Sequence, residues 1–311
     1  MNAPRLRAHE VRVKEALDAV HDRCDVASRL SADPVAFVHR FQAPLDRELI
    51  ALVAACAAFG NVKAIRAKLQ DLLERLGPNP AALAQDPAAL RVALRGWKHR
   101  LFRGEDIARL LAGARAVQRA DGSLGARFEI ELALARRSRT RDEAPPDGSA
   151  DYAAVREALA AWSDAIRAAG GLRRGGSRRG PAHLLPDVRA GSGSKRLLLL
   201  LRWMVRPSDG VDLGAWRVDP ACLLMPVDVH IHKLARNLGF TRRRGMSWRT
   251  TEEITRALAR FAPADPTRYD FSLCHMGMLQ RCPSRRDVLR CEGCGVKPVC
   301  IHWSPRHQQS L

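Results

Sequence analysis

The sequence predicts an all-α fold, and three observations support this prediction. Apolar residues recur at helical spacing in most segments; Ile231, Leu234 and Ala235, for example, fall at positions i, i+3 and i+4 of one helical face. Patterns of alternating apolar and polar residues, which indicate strands, are nearly absent. Aromatic residues, which are enriched in strands, make up only 5% of the 311 residues.

The predicted helices follow one another along the N-terminal half. Pro44 opens the clearest of them, with Asp46 as a candidate cap, and Phe59-Gly60-Asn61 separates it from the next helix. Gly77-Pro78 ends that second helix. We predict helices over residues 8–31, from 33, from 44, and over 62–76, 87–95, 104–119, 122–136 and 151–168.

Two segments lack this periodicity. Residues 137–150 are charged and contain Pro145-Pro146-Asp147-Gly148, which predicts an exposed loop. Residues 170–180 are rich in glycine and arginine. This second segment is either a solvated linker or a loop that contacts phosphate groups.

The charge of the chain points to a polyanionic partner. The formal net charge is +19, from 52 Lys and Arg against 33 Asp and Glu. Nucleic acid is the partner we favour, although an arginine-rich codon bias would also raise the charge. No apolar run reaches the roughly 18 residues of a membrane span, and the N-terminus lacks the apolar core of a signal peptide. We therefore expect a soluble, cytoplasmic, nucleoid-associated protein without structural disulfides.

A glycine-rich turn with a lysine precedes the most apolar helix. The segment Gly191-Ser192-Gly193-Ser194-Lys195-Arg196 leads into residues 197–205, and Pro207 ends that helix. Glycines allow a phosphate to approach the backbone, and first-turn N–H groups favour anions. Lys195, held against apolar surface, is a candidate nucleophile because desolvation destabilises its ammonium form. The alternative is a plain turn whose lysine extends into solvent.

Asp228 precedes the amphipathic helix that ends near Gly239. Its position is that of an N-cap, and Gly239 occupies the position of a left-handed C-terminal cap. Asp228 is therefore either a cap alone or a cap that also belongs to a site. His230 and His232 are interpreted as residues of the helix surface.

Four cysteines lie close together near the C-terminus. Cys282, Cys291, Cys294 and Cys300 form the pattern C-x8-C-x2-C-x5-C, which predicts a metal site. Thiolates suit either tetrahedral zinc or an iron–sulfur cluster. The four other cysteines are interpreted as core thiols.

The hairpin, the aspartate and the cysteines occur in the same order in the helix-hairpin-helix DNA glycosylases, which this chain resembles. Gly191–Lys195 resembles the family's Gly-x-Gly-x-Lys hairpin, and Val227-Asp228-Val229-His230-Ile231 resembles its Val-Asp-x-His motif. Leu273-Cys274-His275-Met276-Gly277, followed by the four cysteines, resembles the end of the endonuclease III and MutY branch. The cysteine spacing is two residues longer than usual in that branch. The separation of Lys195 and Asp228, 33 positions, is closer to that of the archaeal 8-oxoguanine glycosylases.

The resemblance implies a fold and a domain organisation. The fold would be the two-domain helix-hairpin-helix glycosylase fold with a C-terminal iron–sulfur loop. N-terminal helices over 1–43 would pack with the C-terminal part, and a helical domain over 44–205 would end in the lysine helix. An insertion would cover 206–225, and residues 226–311 would hold the aspartate helix, the terminal helices and the cluster.

The resemblance also implies a function: base excision from double-stranded DNA by a monomeric glycosylase with AP lyase activity. An oxidised base would be the substrate, with an 8-oxoguanine-type purine favoured over an oxidised pyrimidine. Lys195 and Asp228 would be catalytic, and the cysteines would hold a [4Fe-4S] cluster, with zinc as the alternative. The expected DNA contacts are Gly191, Ser192, Gly193, Ser194, Arg196, Asn61, Arg285 and Arg286, and the candidate base-pocket residues are Phe59, Trp203 and Trp216. The other functions left open are a non-catalytic DNA-structure-binding protein of the same fold and a zinc-stabilised nucleic-acid-binding protein.

Overall fold

Helices make up nearly all the regular structure of residues 6–139, 152–172 and 179–303, which are the residues that the computed structural model describes. The prediction of an all-α chain is confirmed for these residues. The strands there are the two-residue β1 (Lys98–His99) and β2 (Phe102–Arg103), which pair antiparallel. Most of the predicted loop 137–150 and of the basic segment 170–180 lies outside the described residues.

Nine helices precede the hairpin region in the described part of the chain. Their bounds are α1 Ala8–Asp22, α2 Val26–Leu30, α3 Pro44–Ala57, α4 Val62–Leu76, α5 Pro80–Leu83, α6 Pro87–Ala93, α7 Gly104–Asp121, α8 Leu124–Ser138 and α9 Tyr152–Ala169.

Five further helices complete the described chain. They are α10 Gly180–Leu184, α11 Lys195–Val205, α12 Val229–Asn237, α13 Trp248–Ala259 and α14 Asp270–Gln280. Short 3-10 turns cover Pro34–Arg40, Val188–Ala190, Pro220–Cys222, Lys297–Val299 and Ile301–Trp303.

Local sequence signals account for most of these boundaries, with two exceptions. The predicted helix over 8–31 is broken, because Asp25 accepts a hydrogen bond from the Ser28 amide and starts α2. Asp46 was expected to cap α3, and this was wrong. Asp46 is the third residue of that helix, and its buried carboxylate accepts a 2.6 Å hydrogen bond from the Ala81 amide. It therefore fastens α3 to the start of α5.

Buried apolar side chains form two clusters. The larger one draws on residues 35–224 together with Trp248 and Phe271. The smaller one joins α1 to residues 225–299, and α1 contacts both α14 and the turn Lys297–Val299. The cavity described below lies where elements of both clusters meet, since α11 belongs to the first and α12 to the second.

The insertion over residues 206–225 packs into the larger cluster. The indole of Trp216 lies parallel to the Phe128 ring and donates a 2.7 Å hydrogen bond to Glu48. Glu48 is buried and also accepts hydrogen bonds from the amides of Leu124 and Gly125, the first residues of α8. One carboxylate on α3 thus holds both α8 and the insertion.

None of the helices in the described ranges combines the length and apolar character that crossing a membrane requires.

Candidate active site

A cavity of about 490 Å³ receives residues from five separate segments. Its wall includes the hairpin, the first residue of α11, the start of α12, one face of α14 and the connection between α3 and α4. Lys195 and Asp228 both line it. The structure therefore brings together the two residues that the sequence motifs singled out.

The hairpin owes its shape to its glycines and to a short pairing with the start of α13. Gly191 adopts a left-handed backbone with φ of 85°, and its carbonyl accepts a hydrogen bond from the Trp248 amide at 3.0 Å. The Gly193 amide donates to the Met246 carbonyl at 3.1 Å. A side chain at Gly193 would approach that same carbonyl to 3.0 Å, so only glycine fits without displacement.

Lys195 begins α11 directly after the hairpin. Ser194 precedes it in a left-handed conformation, with φ of 46°, and provides no side-chain cap for the first-turn amides. The Lys195 side chain is half-buried, and its Nζ lies 3.5 Å from the Ala58 carbonyl oxygen. Within the described ranges Lys195 forms no ion pair. Its amine is thus held at the cavity wall without a carboxylate in contact.

Asp228 is the N-cap of α12, as its position predicts. Its Oδ1 accepts hydrogen bonds from the amides of His230 and Ile231, both at 2.9 Å. Its Oδ2 lies 3.5 Å from the Sγ of Cys274, which donates to it. Burial raises the pKa of the Cys274 thiol well above its ordinary value, and the charge of Asp228 raises it further. The thiol therefore remains a proton donor to the carboxylate.

A buried ion pair forms another part of the wall. Arg202 on α11 contacts the carboxylate of Asp270 on α14 and pairs with Asp212 of the insertion at 3.1 Å. Burial raises the pKa of Asp270 to about 6, an effect that Arg202 opposes and the charge of Asp228 reinforces. Lys195 is close enough to lower the pKa of Asp270 in turn. Positive and negative charges thus alternate around the cavity.

Asp33 and His275 stand in the same cavity, outside the lysine–aspartate pair. The Asp33 Oδ2 atom lies 3.8 Å from His275 Nε2, and Oδ1 accepts a 2.9 Å hydrogen bond from the Val35 amide. Burial raises the pKa of Asp33. The hydrogen-bonding reach of His275, the Val35 amide and the charge of Arg202 outweigh it and hold the pKa below its ordinary value. Asp33 is therefore ionised at neutral pH.

Three of the expected site residues lie elsewhere. Arg196 was expected to contact DNA, but its guanidinium is buried and donates to the carbonyl groups of Cys56 and His183. Trp203 and Trp216 were expected near the base pocket, but both are buried in the larger core cluster and neither lines the cavity. The helical face of α11 explains Trp203, because Lys195 and Trp203 project in different directions from that helix.

The other expected residues lie at or near the surface. Phe59 lines the cavity beside Gly60, in the interruption between α3 and α4. Asn61 is exposed and caps α4 through the Ala64 amide. Ser192 is exposed, whereas Gly193 and Ser194 line the cavity. Exposed too are Arg285 and Arg286, in the cysteine loop.

All four C-terminal cysteines line one small enclosed cavity, together with Asn237 and His302. Burial raises the pKa of Cys300 to about 11, and the neighbouring cysteines raise it further. Asn237 donates to the Cys282 Sγ at 3.2 Å. Across the described ranges, no three His, Cys, Asp or Glu side chains are grouped so as to hold a single metal ion. The thiols therefore converge on one space without meeting at one point.

The wall residues that sequence reasoning missed are Asp33, Arg202, Asp270, Cys274 and His275. One of them carried a local signal: Arg202 is a charge inside an otherwise apolar helix, which predicts a buried ionic partner. Asp33 was interpreted as a helix start and Cys274 as a core thiol, and each of these interpretations describes only part of the contacts. Nothing in the local sequence joins Asp33 to His275.

A family model described as "Protein of unknown function (DUF2400)" matches residues 33–279. No curated protein and no solved structure matches the chain. The matched region begins at Asp33, includes Lys195 and Asp228, and ends before the first of the four clustered cysteines. Because this match spans well over half of its length, the chain belongs to the family of proteins of unknown function DUF2400.

Proposed function

We propose that this protein is a DNA glycosylase with AP lyase activity that removes a damaged, oxidised base from double-stranded DNA. The observation that carries the proposal is the position of Lys195 and Asp228, 33 positions apart in sequence, in the wall of one cavity beside a glycine hairpin. At about 490 Å³ the cavity has the size of a small-molecule site, which is typically about 300–1,000 Å³. It can admit a nucleobase, but not a stacked one.

The substrate nucleotide must therefore leave the helix. Flipping costs a few kcal/mol and costs least for a damaged base pair. The amide groups of the hairpin and the first turn of α11 suit the phosphates next to the flipped nucleotide. The exposed Ser192 and Asn61 stand at the edge of this region.

Lys195 supplies the nucleophile in this proposal. Its neutral amine attacks C1′, the N–C1′ bond forms, and the glycosidic bond breaks as the base departs with its electron pair and takes up a proton. Opening of the sugar gives a Schiff base between Lys195 and C1′. Loss of a proton from C2′ then expels the 3′ phosphate, and water releases the lysine.

Asp228 stabilises the positive charge that develops on the sugar as the base leaves. Its Oδ1 is fixed by two amides of α12, so the carboxylate needs no reorganisation during the reaction. Its Oδ2 has only the Cys274 thiol as a neighbour at hydrogen-bonding range. A carboxylate held in this way is a preorganised charge.

The four clustered cysteines are proposed to hold a [4Fe-4S] cluster. Four thiols that line one cavity without meeting at a point suit a group of several metal atoms better than a single zinc ion. Bound there, the group would supply cross-linking to the loop and no chemistry to the base. The loop would then present Arg285 and Arg286 to the phosphates. A protein purified anaerobically with stoichiometric zinc and no iron would contradict the cluster.

The proposal further includes the two-domain helix-hairpin-helix fold, a monomeric state and a cytoplasmic, nucleoid-associated location. The separate apolar clusters on either side of the cavity support the first of these. The net charge of +19 supports a DNA partner.

Borohydride trapping on a panel of oligonucleotides tests the function. Duplexes with oxidised purines, oxidised pyrimidines, alkylated bases, uracil and abasic sites are incubated with the protein and reduced. A covalent adduct is expected with the wild type and with Lys14→Gln, a lysine of α1 paired with Asp18. No adduct is expected with Lys195→Gln. Binding to the same duplexes without any adduct would instead support a non-catalytic DNA-binding protein.

A further inference from the structure

The cavity contains a polar pair that the proposed excision chemistry does not use. His275 is only 9% exposed, and its Nε2 atom is buried without a hydrogen-bond partner among the described residues. The Phe271 ring packs on the imidazole at 4.4 Å between ring centroids and fixes its orientation. Leaving a buried polar nitrogen unpaired costs about 1–3 kcal/mol, so such a group indicates a missing partner.

Asp33 completes the pair. Its Oδ2 lies 3.8 Å from His275 Nε2, which is beyond a hydrogen bond. Its Oδ1 is engaged by the Val35 amide but retains a second lone pair. Facing a carboxylate, the Nε2 atom of His275 is assigned as the protonated nitrogen. The two side chains thus offer one N–H donor next to two carboxylate acceptor positions.

This order of groups has a specific complement among the nucleobases. Guanine presents an acceptor, O6, next to two donors, the N1–H and the 2-amino group. Adenine and cytosine place an acceptor where the carboxylate needs a donor, and thymine and uracil flank their single donor with two acceptors. A carboxylate accepts only, so these edges leave it opposed to a lone pair.

We infer that Asp33 and His275 form the subsite that reads the Watson–Crick edge of the flipped base, and that the base is a guanine oxidised on its imidazole ring. Such lesions keep the guanine edge intact, so the edge is read here while damage is sensed elsewhere. The inference rests on the proposed function, because it needs a base flipped into this cavity.

The test compares two bases that differ by one amino group. Single-turnover excision of 8-oxoguanine and of 8-oxohypoxanthine, which lacks the 2-amino group, is measured and divided by the rate of abasic-site trapping, which involves no base. The wild type is expected to excise 8-oxoguanine about 10- to 100-fold faster, as a lost pairing to a buried polar group implies. Asp33→Asn, which replaces an acceptor by a donor, should lower the 8-oxoguanine ratio about 10- to 100-fold and remove the preference.

A matched control and a rescue isolate the pair from folding effects. Asp219 caps the turn Pro220–Cys222 through the Ala221 amide at 2.9 Å, as Asp33 caps its own turn, but it lies outside the cavity. Asp219→Asn should leave the ratio unchanged. His275→Leu should lower the ratio, and His275→Gln, which keeps a donor, should restore part of it.

The outcomes separate the two claims. If the wild type traps abasic sites and excises bases while Asp33→Asn matches it on both lesions, the subsite is wrong and the glycosylase proposal stands. If the wild type neither traps abasic sites nor excises any base, both fall together.

Discussion

Asp228 combines two tasks in one side chain. One oxygen caps α12 and the other faces the cavity beside Cys274. Capping alone would explain an aspartate here, since capping is the commonest use of this residue at a helix start. The second oxygen is what the proposed chemistry requires, and an asparagine can perform only the first task.

We therefore expect Asp228→Asn to fold and bind DNA but to excise the base about 100- to 1,000-fold more slowly. Removing one preorganised group from such a site typically costs on the order of 3–4 kcal/mol of transition-state stabilisation. The cap survives because Asn caps nearly as well as Asp. Single-turnover excision and thermal melting measure the two effects.

Asp86→Asn is the matched control for this prediction. Asp86 caps α6 through the amides of Ala88 and Ala89, as Asp228 caps α12 with two amides, but it lies far along the chain and outside the cavity. Its variant should excise at the wild-type rate. An Asp228→Asn variant as fast as this control would reduce Asp228 to a cap.

The residues that could be predicted from the sequence are those that belong to local motifs. Lys195 follows its glycines directly and Asp228 precedes its helix directly, so each has its context within a few positions. Asp33 and His275 meet across 242 positions of chain, a contact fixed by packing of the 3-10 turn and α14. Arg196 was misassigned because its place in a helix was predictable but the side it faces was not.

At the scale of elements, a buried ionic network joins α11, the insertion and α14. Asp212 of the insertion is fully buried and pairs with both Arg202 and Arg206. Arg202 reaches Asp270 at the cavity wall. The insertion is thus an internal support of the site, which its sequence alone, with scattered glycines, did not indicate.

Asp212→Asn should lower the free energy of unfolding by about 3–5 kcal/mol, because it leaves two buried arginines with fewer compensating charges. Asp209→Asn serves as the control. Asp209 also pairs with Arg206, but its side chain is 36% exposed, so its charge should matter by about 0–1 kcal/mol. Urea denaturation measures both variants, and equal small losses would mean that the network does not support the fold.

The cysteine loop is the element whose role depends on a bound group. Cys291→Ser should lose metal, lose colour and weaken DNA binding, because the loop no longer holds its basic residues in place. Cys222→Ser removes a buried thiol of the insertion, outside the loop, and should keep all three properties. Metal analysis, visible absorption and DNA titration test this, and a colourless wild type without iron would contradict it.

Helix positions were largely predictable because caps and breakers are local. The helix over 62–76 was predicted with the bounds that the structure has, from Asn61 to Gly77. Asp46 shows the limit of such signals, since its partner, the Ala81 amide, lies 35 positions away. An acidic residue in a first turn does not reveal whether its oxygen bonds the turn or another element.

At the scale of the whole molecule, the net charge of +19 predicts electrostatic binding to DNA. The logarithm of the association constant should fall linearly with the logarithm of salt concentration, with a slope of about −0.9 per phosphate contacted. We expect a slope equivalent to several contacts for an undamaged duplex. Fluorescence anisotropy over a salt series measures it, and an affinity nearly independent of salt would remove the electrostatic argument.

The central claim is that the Lys195 amine bonds to C1′ of the damaged nucleotide. It is tested most directly by locating the bond: the adduct formed with the best substrate is reduced with borohydride, digested and mapped by mass spectrometry. We predict that the sugar remnant is attached to Lys195 and to no other amine of the chain. A remnant on a different lysine or on the N-terminal amine, with Lys195 unmodified, would contradict the assignment.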